Sequence, residues 1–150
     1  MNIPKTLWNL YGLKRNESLS PAKLRTIQQK KLRQLLHYAW NRSPYYRETF
    51  ERAGITEEKL DTAPLSAFPT IGKAALLKNF DRLVTVPDLK QAELRRFDAV
   101  ESTDRRPFLE KYHLVHSSGS TGEPGYFVYD EAAWNTMLLG IIRGALWGMS

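Results

Sequence analysis

Apolar residues in the first half of the chain recur at helical spacing. Leu24, Ile27, Leu32, Leu35, Leu36 and Ala39 fall on one face, with Gln and Lys filling the other. Ser20-Pro21 ahead of them is a start signal, a capping hydroxyl followed by proline in the first turn, so a helix is predicted from 21 to about 41. Ser43-Pro44 repeats that signal. Tyr45, Tyr46, Phe50 and Ala53 continue a second amphipathic helix, which Gly54 is placed to end. Thr56 to Leu60 reads as a short third helix with acidic residues in its first turn. Residues 64–73 are rich in turn formers, and Lys73 to Phe80 suits another short helix. Two stretches lack a clear period. Residues 1–19 read as irregular, with Trp8, Leu10, Tyr11 and Leu13 as docking anchors. Residues 81–110 show only a strand-like Val84 and Val86, a helical turn at Asp88 to Ala92, and a polar loop over 101–107.

The pattern changes after residue 110. Tyr112 to Val115 and Tyr126 to Tyr129 are aromatic and β-branched, as strands are. Asp130 then caps a strongly apolar run from Ala132 to Met149, interrupted by Asn135 and Arg143 and too short for a comfortable membrane span. Gly140, Gly144 and Gly148 form a small-residue stripe, which suggests a helix lying close against a sheet inside a longer chain. The fold class expected is α/β: 20–80 mainly helical, 110–150 strand-loop-strand-helix.

Between the two strands lies His116-Ser117-Ser118-Gly119-Ser120-Thr121-Gly122-Glu123-Pro124-Gly125, with three glycines and four hydroxyls in one run. Glycines permit positive φ and let successive N–H groups converge, while Ser and Thr add donors without bulk. Converging neutral donors suit a polyphosphate. The run is not a Walker loop, because no Lys follows Gly122 and a strand, not a helix, comes next.

Charge and composition narrow the classes. A net charge of +6 allows a nucleic-acid surface, but acidic residues intersperse the basic ones and no aromatics interleave the basic run of residues 23–33, so a solvated helix face is expected instead. There are no cysteines, which excludes disulfides and thiolate metal sites and fits a reducing cytoplasm. The first residues lack the apolar core of a secretory signal. His113 and His116, three apart in a strand, fall on opposite faces, and no third ligand accompanies them, so no metal site is assigned. Lys73 reads as a surface lysine.

The run Ser-Ser-Gly-Ser-Thr-Gly-x-Pro resembles the phosphate loop of adenylate-forming enzymes, and the chain is similar to the N-terminal part of the phenylacetate–coenzyme A ligase family, with its capsular-polysaccharide biosynthesis relatives. Residues 31–39 with Ser43-Pro44-Tyr45-Tyr46-Arg47 look like that family's opening helix pair. Phe68-Pro69-Thr70-Ile71-Gly72-Lys73 followed by Leu76-Leu77-Lys78-Asn79-Phe80 looks like its next segment, so the likeness covers most of 20–140.

The resemblance implies the first strands and phosphate loop of an incomplete adenylate-forming domain. It further implies ATP with Mg2+ as cofactors, coenzyme A as an acceptor and a small-molecule carboxylic acid as substrate. Ser117, Ser118, Gly119, Ser120, Thr121 and Gly122 would cradle the β- and γ-phosphates; no catalytic residue is assigned. Gly125 stands where many relatives in the superfamily carry a lysine. The later motifs of the superfamily are absent, so the expectation is a fragment that shows no ATP–pyrophosphate exchange alone, completed by the rest of a ligase or by a homo-oligomeric partner. Two other readings remain open: a non-catalytic nucleotide- or phosphate-binding module, and a helical interaction protein that docks through its apolar C-terminal helix.

Overall fold

Where the sequence places a cap, a helix begins. In a computed structural model that describes residues 3–100, 106–117 and 122–147, helix α1 is Ile3–Glu17, α2 is Pro21–Arg42 and α3 is Pro44–Arg52. Ser20 Oγ accepts from the Lys23 N–H at 3.4 Å, ahead of α2. Ser43 Oγ accepts from the Tyr46 N–H at 3.3 Å, ahead of α3. Each satisfies one of the donors that a helix start leaves orphaned. Gly54 follows α3 at φ +74°, a left-handed position that costs a glycine little.

The chain divides into two compact units. One comprises Ile27–Thr103 with His116–Tyr126, the other Met1–Thr26, Asp104–Val115 and Phe127–Ser150.

In the first of these, Leu36 and Trp40 of α2 pack with Phe50, Ile55, Leu60 and Phe68. Phe50 and Phe68 meet edge to face, 5.1 Å between ring centres, a geometry that aromatic quadrupoles favour. Leu60 is fully buried, worth roughly 2 kcal/mol of apolar transfer. The polar side of α2 also joins the fold: Arg33 Nη1 donates to the carbonyls of Leu60 and Ala63 at 2.7 and 2.9 Å. Ser43, itself buried, donates to the Arg82 carbonyl at 3.1 Å. One hydroxyl thus both caps α3 and tethers a later helix.

Short turns follow at Glu57–Lys59 and Leu65–Ala67, then α4 (Lys73–Lys78) and α5 (Phe80–Leu83). The single helix expected over 73–80 is broken at Asn79, whose side chain donates to the Ala75 carbonyl at 2.9 Å. The strand suggested by Val84 and Val86 does not form. Val84 is extended but unpaired, ending α5, and the chain turns toward Leu89, which is buried. The helical turn expected near 88–92 is instead a full helix, α6 (Gln91–Asp98). Its start signal is not local. Lys90 precedes it without capping, and Asp81 Oδ1 accepts the Gln91 N–H at 2.8 Å from ten residues away. Leu94 anchors α6 with no exposed surface. The polar loop expected over 101–107 lies mostly outside the described residues.

In the other unit, residues 3–17 are helical rather than irregular. Leu10 and Leu13 of α1 are half-buried, and Lys14 pairs with Glu17 at 3.0 Å, one turn on. Glu17 also receives Arg143 at 3.4 Å from the last helix, α7 (Glu131–Trp147), against which α1 packs. Tertiary packing of an amphipathic face stabilises a short helix more than propensity does. Trp8 and Tyr11, two of the residues expected as docking anchors, are exposed. Asp130 caps α7 as expected, accepting the Ala133 N–H at 2.7 Å. Gly140 and Gly144 have no packed neighbour among the described residues. A Cβ built at either meets nothing within 4 Å, and α7 buries Leu139 while Ile141 stays exposed. Gly148 lies outside the described residues. No helix of the described residues is long and apolar enough to cross a membrane.

The two expected strands form: β1 is His113–His116 and β2 is Tyr126–Tyr129, paired as a two-stranded sheet. A parallel pair would need a crossover of a dozen or more residues, so this short connection makes a hairpin. Just ahead of β1, Leu109 and Glu110 hold positive φ between the paired Phe108 and Tyr112. That conformation costs an L-residue about 1–2 kcal/mol, and burial of the Phe108 and Tyr112 rings offsets it.

Candidate functional site

The hairpin connection runs from Ser117 to Gly125, and its two ends are stapled to each other. The Ser117 N–H donates to the Gly125 carbonyl at 3.0 Å, and the Gly125 N–H donates back to Ser117 Oγ at 2.9 Å. Ser117 therefore closes the neck of the connection, and its O–H proton still has a hydroxyl's freedom to donate. Gly122 holds φ +123°, a conformation that a side chain would strain. Ser118, Gly119, Ser120 and Thr121 lie outside the described residues. Of the six residues expected to cradle phosphate, the structure thus places Ser117 at the neck and Gly122, exposed, on the far limb.

Helix α6 braces this neck. Asp98 reaches both strands: its Oδ2 accepts from the Tyr126 hydroxyl at 3.2 Å, and its Oδ1 lies 3.5 Å from His116 Nε2. The other ring nitrogen of His116, Nδ1, lies 3.1 Å from the Ser117 carbonyl oxygen, so both nitrogens face oxygen acceptors. One turn earlier on α6, Arg95 forms an ion pair with Glu123 of the connection. Burial pushes the Tyr126 phenol above its ordinary value of 10, and the hydrogen bond it donates to the Asp98 carboxylate raises it further. Both causes favour the neutral, donating phenol.

At the outer end of the hairpin a second set of contacts forms with α7. The His113 ring stacks on Trp134, 4.5 Å between centres and 11° from parallel. His113 Nε2 lies 3.1 Å from Glu131 Oε2. The hydrogen bond with His113, then one from Asn135, hold the Glu131 carboxyl below its ordinary 4.5. His113 and His116 thus face different partners, as alternation along a strand requires.

Arg95, Asp98 and Glu123 are the members of this constellation that sequence reasoning missed. Arg95 and Asp98 are three apart and share a face of α6. The segment carries too few apolar positions to announce a helix, with Leu94 its one buried residue. Glu123 was legible as part of the loop, but its partner was not.

No protein-family model matches the chain. Among curated proteins, the phenylacetate-coenzyme A ligase of Aromatoleum evansii is 29% identical over 135 residues, covering 86% of this chain and 26% of that protein. The chain thus spans about a quarter of the relative's length. The similarity reaches beyond the loop to most of the chain and is to a protein of the ligase type.

Proposed function

We propose that this chain is the N-terminal part of an ATP-dependent, acyl-adenylate-forming ligase that activates a carboxylic acid for transfer to coenzyme A. The observation that carries the reading is the ordered run Ser-Ser-Gly-Ser-Thr-Gly-x-Pro in a hairpin connection of a chain similar along most of its length to a phenylacetate-coenzyme A ligase. In such a reaction the carboxylate oxygen attacks the α-phosphorus, the bond to the bridging oxygen breaks, and pyrophosphate leaves with the accumulated charge. A thiol then displaces AMP from the acyl carbon.

The part assigned to this chain is to hold the β- and γ-phosphates. Ser117, Ser118, Gly119, Ser120, Thr121 and Gly122 supply hydroxyl and backbone N–H donors, which offset the charge growing on the leaving group. The fixed neck, closed by Ser117 and Gly125, keeps such donors in place before the ligand arrives, so less ordering is required on binding. Asp98 and Glu123, the carboxylates beside the neck, are each engaged by side-chain donors. They do not make a ready cation site, and a divalent ion would accompany the nucleotide.

Calorimetric titration of the full chain with ATP tests this reading. Saturable binding is expected, weakened about a hundredfold when Ser120→Ala and Thr121→Ala are combined, as loss of two hydrogen bonds to a charged acceptor requires. Absence of any heat, or an unchanged affinity in the double variant, would overturn it.

A further inference from the structure

We propose that Arg95 is an anion-binding residue of this site, and that Glu123 is its resident competitor. This rests on the assignment of the connection to nucleotide phosphate.

Residues 117–125 contain no Lys, Arg or His and one carboxylate, Glu123. The other acidic group at the neck is Asp98. Neutral donors can shape a polyphosphate site, but two carboxylates beside it repel the ligand unless a cation answers them. Among the described residues, a cation in contact with the connection comes from α6. Arg95 Nη2 holds Glu123 Oε2, and the remaining N–H groups of its fork meet no protein acceptor among the described residues. A guanidinium carries five donors in a plane, enough to serve a carboxylate and a phosphate oxygen together or to move from one to the other.

The pair is also open to a ligand. The side chains of Arg95 and Glu123 are 44% and 59% exposed. A surface ion pair of this kind contributes little stability of its own, so exchanging the carboxylate for a phosphate costs little. Asp98 plays the opposite part. It is tied to both strands and keeps the neck in register with the helix face that presents Arg95. Positioning and charge thus come from one helix, three residues apart, and the loop itself needs neither.

The test is a charge-reversal pattern read in the full chain with ATP and, separately, with inorganic pyrophosphate. Arg95→Gln is expected to weaken both about tenfold and to flatten the dependence of affinity on salt. Glu123→Gln is expected to tighten both about threefold, because the competing carboxylate is gone while Arg95 stays. A pair that only braces the loop predicts instead that both variants weaken binding alike, and that result overturns the proposal. So does unchanged affinity in Arg95→Gln when the unaltered chain binds, which leaves the nucleotide assignment standing. If the unaltered chain binds neither ATP nor pyrophosphate, both the assignment and the role of Arg95 fall. Amide exchange at Gly125 in each variant reports whether the neck is intact, and Arg95→Lys, which keeps the charge but not the fork, is expected to recover part of the affinity.

Discussion

The two ends of the hairpin are held by different physics. At the outer end, His113 is clasped by a flat stack on Trp134 and by Glu131, both from the helix that begins directly after β2. At the neck, His116, Tyr126 and Glu123 are held by Asp98 and Arg95, from a helix up to 28 residues away along the chain. The outer end relies on ring contact and on one carboxylate, Glu131, from a near neighbour. The neck relies on charge and hydrogen bonds brought in from elsewhere in the fold. A ligand that carries charge can compete for the second kind of contact but not for the first. The part of the hairpin suited to respond to a polyanion is therefore the neck, whose supports include the cation Arg95.

That contrast breaks most visibly if α6 is loosened. Leu94→Ala removes a side chain with no exposed surface and is expected to cost about 3 kcal/mol in denaturant unfolding. Amide exchange should quicken at Gly125, in the neck, while the Ala133 amide, capped by Asp130, keeps its protection. Equal quickening at both would show that the two ends are not independently supported.

The reciprocal change is smaller. Trp134→Ala deletes the stack on His113 and the edge contact with Tyr129 at 5.9 Å. Because Trp134 is only half-buried, the cost expected is about 2 kcal/mol. Here the Ala133 amide should lose protection first and Gly125 keep it.

The smallest effect is the response to pH, and its sign differs between the ends. Tyr126 has a raised pKa in the folded chain, so its contribution is complete below the ordinary phenol value of 10 and lost as pH rises through the raised one. Glu131 has a lowered pKa, so its contribution is complete above the ordinary 4.5 and lost as pH falls through the lowered one. Tyrosinate absorbance and amide exchange followed across both limbs should show the neck loosening in alkali and the outer end in acid. The same order at both limbs would remove the distinction.

How much of this was legible in the sequence depends on how far away each cause lies. Ser20, Ser43 and Asp130 cap helices through donors three residues on, so the starts of α2, α3 and α7 could be read directly. The strands β1 and β2 were equally plain, because aromatic and β-branched content is a local property. Helix α1 was not, since its half-buried Leu10 and Leu13 gain meaning only once α7 lies beside them. Helix α6 was missed for the same reason, because its first N–H is answered by Asp81. Nothing among the described residues packs on Gly140 and Gly144: a small-residue stripe permits contact but does not supply a partner.

The sequence by itself determined the starts of α2, α3 and α7, the hairpin and the hydroxyl-rich character of the connection between its strands, because each follows from chemistry within a few residues. Only the tertiary structure decided that Arg95 and Asp98 face that connection and that Glu123 meets a cation there. Residue spacing dictates which side chains share the face of a helix, but not what that face will meet. That depends on the burial of Leu94 and the chain's turn at 84–90, which act over distances no local pattern encodes.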